Sequence, residues 1–161
     1  VMTSNTLTLS SLSIEAVDRN EQQDARRVVW NGKGAGQVAL ATANRQDFLS
    51  YAQEKSALIF DIKVNRAPTD KTLFRLGCGS YCASDLDFTE KLTALAGKDW
   101  ETISIDLTCF PNAGANFGVT QPPEEFLTQV LQPFSLLTSG ELDITFARVR
   151  LERGAATGQC Q

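Results

Sequence analysis

The chain offers few residues for bond-breaking chemistry, because it contains no histidine. Histidine is the commonest general base near neutral pH and the commonest metal ligand, so neither a Ser-His-Asp nor a Cys-His site can be built. Paired carboxylates are the remaining route, as in glycoside hydrolysis, and the pairs to consider are Asp61 with Asp106 and Asp85 with Asp87. Nothing in the sequence indicates a deep cleft or a desolvated acid of the kind that catalysis requires. We therefore expect no catalytic residue in this chain.

Four cysteines are present, and no two of them form the C-x-x-C pair that is typical of a zinc site. Disulfide bonds are the better interpretation, and they indicate an oxidising compartment, either secreted or periplasmic. Cys78 and Cys82 are separated by three residues and have glycines beside them, so we predict a local bridge. Cys109 is then interpreted as a buried thiol and Cys160 as part of a loose tail, although sequence alone does not fix the pairing.

Composition and charge exclude several classes of function. The net charge is −4 and the isoelectric point is about 4.8. Arg26-Arg27 is the one adjacent basic pair, so the sequence has no cluster that could neutralise a row of phosphates, and we expect no nucleic-acid partner. No apolar run approaches the ~20 residues of a membrane span, so no membrane insertion is expected.

Alternating apolar and polar residues predict β-strands along most of the chain. The clearest case is Ala57 to Val64, which we interpret as the central strand of a sandwich with one buried and one partly wet face. Trp100 to Leu107 alternates in the same way, and Trp30 shares its parity with Val28, which predicts a core position.

Turn signals separate the predicted strands. Asn31-Gly32 predicts a β-hairpin, because both residues tolerate a positive φ angle. A change of parity after Phe146 predicts a β-bulge near Ala147 or Arg148. Short helices are expected after Asp47, after Asp87 and over 124–131.

Together these patterns predict one all-β domain over residues 1–161, with a core at about 7–152 and polar termini. About eight to ten short strands without regular long helices favour an antiparallel β-sandwich or jelly roll with one or two short helices. The polar start lacks the features of a signal peptide, so we expect a piece of a larger secreted protein.

Four ordered segments carry a family resemblance: LIFDIKV at 58–64, LFRLGCGSYC at 73–82, WETISIDLTCF at 100–110 and PFSLLTSGELDITFARVRL at 133–151. From about Ala25 to Leu151 the chain resembles the extra C-terminal galactose-binding-like domain of bacterial glycoside hydrolase family 3 exo-1,3/1,4-β-glucanases. The resemblance implies a sandwich similar to family 11 and family 30 carbohydrate-binding modules. It also implies that the catalytic carboxylates lie in other domains of the same polypeptide.

Sugar recognition needs aromatic rings that stack on pyranose faces and polar groups that bind hydroxyls. Trp100 is directed outward by a regular strand, and Tyr51 and Tyr81 lie on loops, where function commonly resides. For each ring the alternative is packing against a core edge.

Outward-facing polar residues are predicted to form one stripe that could line a groove for a glucan. Its members are Asp61, Lys63, Arg75, Thr102, Ser104, Asp106, Asp143 and Thr145. The alternative is cross-strand charge pairing on a solvated sheet, which is the commoner role of such residues.

A structural calcium ion is a further expectation, since related sandwiches often hold one. The candidate ligands are Asp18, Asn20 and Asp24, with Asp85 and Asp87 as a second acidic stretch. Neither stretch matches a defined calcium-loop motif, and no cofactor is otherwise required.

Three functions follow from these observations. The first is a non-catalytic accessory domain that packs on the catalytic domains of a β-glucanase and assists longer glucan substrates. The second is an autonomous carbohydrate-binding module with affinity for β-glucan. The third is a purely structural domain.

Overall fold

The computed structural model describes residues 2–7, 11–114, 118 and 120–160, and in these ranges it contains ten strands and three short α-helices. The strands are β1 (Met2–Leu7), β2 (Leu12–Val17), β3 (Ala25–Asn31), β4 (Gly36–Thr42), β5 (Ala57–Arg66), β6 (Thr72–Gly79), β7 (Cys82–Asp87), β8 (Glu101–Asp106), β9 (Phe134–Thr138) and β10 (Glu141–Glu152). The helices are α1 (Leu49–Gln53), α2 (Thr89–Leu95) and α3 (Pro123–Phe126), and single 3₁₀ turns lie at Leu107–Cys109 and Leu127–Gln129.

The strands form two five-stranded sheets. The first sheet has the order β1-β4-β9-β6-β7, the second has the order β2-β3-β10-β5-β8, and the strand pairs in both sheets are antiparallel. The predicted antiparallel sandwich with short helices is therefore confirmed. No helix in the described ranges is both long enough and apolar enough to cross a membrane.

Aromatic side chains from both sheets fill the space between them. The Phe60 ring of β5 lies 5.7 Å from the Phe74 ring of β6 and 5.1 Å from the Phe134 ring of β9, measured between centroids. All three residues are fully buried. Burial of one such side chain contributes about 1.5–3 kcal/mol, so this cluster joins the two sheets firmly.

The prediction that one face of β5 is buried was right. The predictions that β5 is the central strand and that its other face is partly wet were wrong. β10 is the central strand of the second sheet, and β5 lies between β10 and β8. On the outer face Ile59 is 6% exposed and Asp61 only 2%, and Arg19, 42 residues away in sequence, lies against Asp61.

The turn at Asn31-Gly32 is real, but the predicted hairpin is wrong. β3 and β4 belong to different sheets, so the turn carries the chain across the sandwich. Gly32 has φ of 78°, as expected, and the Asn31 side chain accepts a hydrogen bond from the Lys33 N–H. Trp30 is buried as predicted, and its Nε1 donates to the Gly36 carbonyl at 2.9 Å.

The predicted bulge in the last strand is confirmed. The pairing of β10 with β5 shifts register between Ala147 and Arg150, and Arg148 adopts φ of 53°. The segment over 82–87, which the sequence did not indicate as a strand, is β7 and forms a hairpin with β6.

The local Cys78–Cys82 disulfide is confirmed, with 5.0 Å between the Cα atoms. The expectations of a free thiol at Cys109 and a loose tail at Cys160 are wrong, because these two residues form a second disulfide. The tail folds back onto the end of β8, where the Asp106 carboxylate accepts the N–H groups of Thr157 and Gly158 at 2.9 and 2.7 Å.

Candidate functional site

The predicted polar stripe is divided between two opposite faces of the sandwich. Asp61 and Asp106 lie on the outer face of the second sheet, on β5 and β8, whereas Arg75 lies on β6 in the first sheet. A single groove lined by all of these residues is therefore wrong, because strands that follow one another in sequence enter different sheets.

Asp61 is the centre of a cluster of arginines. Its Oδ2 accepts a hydrogen bond from Arg19 Nη1 at 2.5 Å, and its Oδ1 accepts one from Thr102 Oγ1 at 2.9 Å. Arg148 and Arg150 approach the same carboxylate to 3.8 Å. Burial by itself would raise the pKa of Asp61, but the hydrogen bonds and the neighbouring positive charges outweigh it and hold the pKa below its usual value.

Arg19 also covers Trp100, which precedes β8. The guanidinium carbon lies 4.1 Å from the centroid of the indole ring, within the range of a cation–π contact. A similar pairing occurs farther along this face, where Arg27 Nε and Nη2 donate to the two carboxylate oxygens of Asp143 at 3.1 and 2.6 Å. The side chains of this face thus bind one another, as the charge-pairing alternative predicted.

Asp106 and Tyr51 hold the C-terminal tail. Asp106 is 2% exposed, and the Arg153 guanidinium lies 4.6 Å from the centroid of the Tyr51 ring. Asp61 is paired in register with Thr102, and Asp106 with Ala57, so four residues separate the two carboxylates along β5. That is about 13 Å, more than the ~5–9.5 Å between the two carboxyl groups of a glycosidase.

The predicted calcium loop is closed by its own hydrogen bonds. Asp24 accepts the backbone N–H groups of Arg19, Asn20 and Glu21, and Asp18 accepts that of Gln23. Within the described ranges, no three acidic or cysteine side chains are grouped as a metal site. Calcium binding at Asp18, Asn20 and Asp24 stays a prediction.

The outer face of the first sheet has a different character, because a groove crosses it. Three adjoining cavities of about 290, 450 and 620 Å³ share the side chain of Lys71, and the first two also share Leu73. Most of their lining residues come from β4, β9, β6, β7 and the start of α2: Gly36, Gln37, Leu137, Thr138, Leu73, Ala83, Asp85, Asp87, Thr89 and Glu90. Lys71, which precedes β6, and the loop residues Ala35, Ser139, Pro111 and Asn112 complete the lining. The groove therefore runs across the strands.

The floor of the groove is aliphatic and its borders are polar. Leu73 and Leu137 face each other in register on β6 and β9. Next to them on β6, Arg75 donates through Nε and Nη2 to the two oxygens of Asp85 at 2.7 and 2.9 Å. An aliphatic floor and charged or amide borders suit a neutral polyhydroxylated chain, whose ring faces are apolar and whose edges carry hydroxyls.

Asp87 occupies the far border of the groove, next to α2. Its Oδ1 accepts the Thr89 N–H at 3.0 Å, and the hydrogen bonds from Thr89 lower the pKa of the carboxyl group. The Asp87 carboxylate is therefore ionised at neutral pH and lies near the positive charge of Lys71.

Most residues of this groove were missed by sequence reasoning. Leu73 and Leu137 have ordinary strand-forming side chains, and no motif distinguishes them. One feature of the sequence could have indicated Leu73. This residue alternates with the buried residues of β6 and so lies on the same outward face as Arg75, where a polar residue is expected. Arg75 is the one predicted sugar-binding residue beside the groove; Tyr81 lies at the other end of β6 and β7.

The chain matches one protein-family model and resembles several solved structures. Residues 1–151 match the family model Exop_C, described as galactose-binding domain-like. No curated protein matches the chain. The extra C-terminal domain of an exo-1,3/1,4-β-glucanase from a Pseudoalteromonas species is 21% identical, with 89% of this chain and 71% of that one covered and a TM-score of 0.66.

Two further structures share the fold. The exo-1,3/1,4-β-glucanase of the same bacterium matches 92% of this chain at 19% identity and a TM-score of 0.67, and this match spans 16% of that longer chain. A family 11 carbohydrate-binding module from Clostridium thermocellum, solved with a β-1,3-1,4-mixed-linked tetrasaccharide, is 11% identical, with 96% of this chain and 89% of that one covered and a TM-score of 0.60.

Proposed function

Because the chain belongs to the Exop_C, galactose-binding domain-like family, we propose that it is a non-catalytic accessory domain of a secreted or periplasmic enzyme that hydrolyses β-glucan. The enzyme would be an exo-β-glucanase of glycoside hydrolase family 3, with its catalytic domains in the same polypeptide and in contact with this sandwich. No cofactor takes part in this role.

The groove across β4, β9, β6 and β7 is the observation that carries the proposal. It has the shape to hold an extended chain, and Leu73 and Leu137 offer apolar contact to pyranose rings. Lys71, Asp87 and the Arg75–Asp85 pair supply donors and acceptors for hydroxyl groups. The related family 11 module was solved with a mixed-linked tetrasaccharide, which supports a β-glucan as the ligand.

The other predicted sugar-binding residues are less suited to this role. The Arg19 guanidinium already contacts the Trp100 ring and the Asp61 carboxylate. Asp106 and Tyr51 already contact residues of the C-terminal tail. Sugar binding at these positions stays a prediction, and we place the glucan on the groove instead.

Calorimetric titration of the chain with laminarin and with mixed-linkage glucan tests the proposal. We expect weak binding with a Kd of about 1 mM, which corresponds to ~4 kcal/mol, whereas a much tighter Kd would support an autonomous carbohydrate-binding module. Replacing both floor leucines by threonine, which keeps strand propensity but adds hydroxyls, should sharply reduce the heat of binding. Arg66→Ala, an exposed change on the opposite sheet, is the matched control and should bind as the parent does.

Deletion of the domain from the full enzyme separates the remaining alternatives. Slower hydrolysis of long glucans with unchanged hydrolysis of short ones would support the accessory role. Loss of stability alone, with no binding by the isolated chain, would show a purely structural domain and overturn the proposal.

A further inference from the structure

Tyr81 is the one large apolar side chain that stands exposed in the described part of the chain, with 70% of its surface accessible. It lies at the tip of the β6–β7 hairpin, in the loop closed by the Cys78–Cys82 disulfide. The groove crosses the opposite end of the same hairpin, at Leu73. Six residues of strand separate Leu73 from Gly79, which is about 20 Å, so the ring and the groove are separate places.

The backbone at Tyr81 is unusual for its residue type. Gly79 and Cys82 are paired in register, so Ser80 and Tyr81 form a two-residue loop. Tyr81 has φ of 59°, in the left-handed region that hairpins normally fill with glycine, asparagine or aspartate. Gln23, Lys55 and Arg148 share this region of φ, but Tyr81 combines it with a ring that is 70% exposed, and a conformation of this kind motivates a functional hypothesis.

The surroundings hold the loop in one conformation. The disulfide brings the Cα atoms of Cys78 and Cys82 to 5.0 Å. Arg45 Nη1 donates to the Cys78 carbonyl at 2.7 Å, and Arg45 Nη2 lies 3.4 Å from the point where a Cβ on Gly79 would be. An aromatic ring on a braced loop loses little conformational entropy on binding.

We propose that Tyr81 forms a second sugar-binding site, in which its ring stacks on a pyranose and Arg45 donates a hydrogen bond to a sugar hydroxyl. The choice of a β-glucan as ligand rests on the proposed function. Because the two sites lie at opposite ends of β6 and β7, one long glucan or two separate chains can occupy them together.

Chemical-shift titration of the isotope-labelled chain with laminaritetraose tests the site, because the amide signals of the hairpin tip and of the groove are followed separately. Tyr81→Asn suits the positive φ, so it should fold normally while the affinity at the hairpin tip falls at least about tenfold, as for an aromatic anchor. Tyr81→Phe keeps the ring and should keep the affinity within about threefold, since only the phenolic hydroxyl is lost.

A Cys78→Ser/Cys82→Ser variant adds a second readout. It frees the loop without removing the ring, so we expect weaker binding at the tip and unchanged shifts in the groove. If Tyr81 had a purely structural role, Tyr81→Asn would leave the tip titration unchanged, which would overturn the inference. Absence of any tip shift in the parent would overturn it too, while shifts in the groove report independently on the proposed function.

Discussion

Asp61 shows how a carboxylate can be buried on the outer face of a sheet. Its side chain is 3% exposed, while the three arginines near it range from 18% exposed for Arg19 to 63% for Arg148. A buried charge is tolerated only when its partners compensate for lost hydration. Here the chain supplies Arg19 from the loop after β2 and the other two from β10, so the cluster ties three parts of the second sheet together.

Asp61→Asn should lower the free energy of unfolding by roughly 2–4 kcal/mol, because it leaves several guanidinium groups around a neutral amide. Denaturant unfolding at neutral pH measures the change. Glu152→Gln is the control: Glu152 is 49% exposed and pairs with Arg150, so its loss should cost less than about 1 kcal/mol. Equal losses of unfolding free energy in the two variants would show that the arginines do not stabilise the fold through the Asp61 carboxylate.

Acid should destabilise the fold through the aspartates whose pKa values are lowered in the folded state, among them Asp61 and Asp143. An unfolded aspartate titrates near pH ~3.9, so the stabilisation is complete above that value. It is lost as the pH falls toward the lower folded pKa, because the unfolded chain then binds protons first.

Unfolding free energies measured from about pH 6 down to about pH 2 should therefore fall steeply for the parent chain. Asp61→Asn should show a shallower decline over the same range, since the carboxyl group of Asp61 no longer titrates. Parallel curves for the two proteins would contradict the assignment of Asp61.

At the scale of elements, the bulge in β10 shapes the second sheet. The register shift between Ala147 and Arg150 directs Arg150 toward Asp61 on β5, and the left-handed backbone at Arg148 makes the shift possible. Such bulges increase local twist and re-aim side chains. The arginine cluster therefore depends on one irregular residue.

Arg148→Gly and Arg148→Val test this backbone requirement. Both remove the same guanidinium group, but glycine accepts φ of 53° freely and a β-branched residue does not. We expect the glycine variant to be more stable than the valine variant by roughly 1–2 kcal/mol, as measured by thermal and denaturant unfolding. The reverse order would mean that the left-handed conformation is not needed.

Local patterns predicted the elements well and their partners poorly. Alternation identified β5 and β8, and the change of parity after Phe146 identified the bulge, because a strand with a buried face imposes a period of two. The Asn31-Gly32 sequence predicts a turn, but it does not show whether the two flanking strands pair with each other or enter different sheets. The cover over Asp61 comes from Arg19, 42 residues away, and no local pattern encodes that contact.

At the scale of the whole molecule, two disulfides close loops of very different length. The Cys109–Cys160 bond spans 51 positions of sequence and fastens the tail beside β8, whereas the Cys78–Cys82 bond spans four. In the chain-entropy description, a longer closed loop restricts the unfolded chain more strongly. The long loop should therefore contribute more to stability.

Cys109→Ser/Cys160→Ser should lower the free energy of unfolding by roughly 4 kcal/mol, and Cys78→Ser/Cys82→Ser by roughly 2 kcal/mol. Denaturant unfolding of the two variants beside the oxidised parent measures both values. A smaller loss for the long loop than for the short one would show that the released tail keeps its contacts with Asp106 without a covalent link.

The candidate site was the hardest part to foresee from sequence. The pairing of Cys109 with Cys160 and the position of the groove both depend on how distant segments meet. Leu73, Leu137 and Lys71 have no chemistry that marks them as ligand contacts. By contrast, Tyr81 and Arg75 were candidates from the sequence, because an aromatic residue on a loop and a charged residue on an outward parity are visible there, and their contact with sugar stays a prediction.

The division of polar residues between two faces has a consequence for how this protein can change. Arg19, Asp61 and Asp143 stabilise the fold on one side, the groove lies on the other, and a packed layer about 10 Å thick separates them. Substitutions that far apart usually have additive effects. Substitutions in the groove can therefore accumulate, in nature or in a selection library, while the opposite face keeps the domain folded.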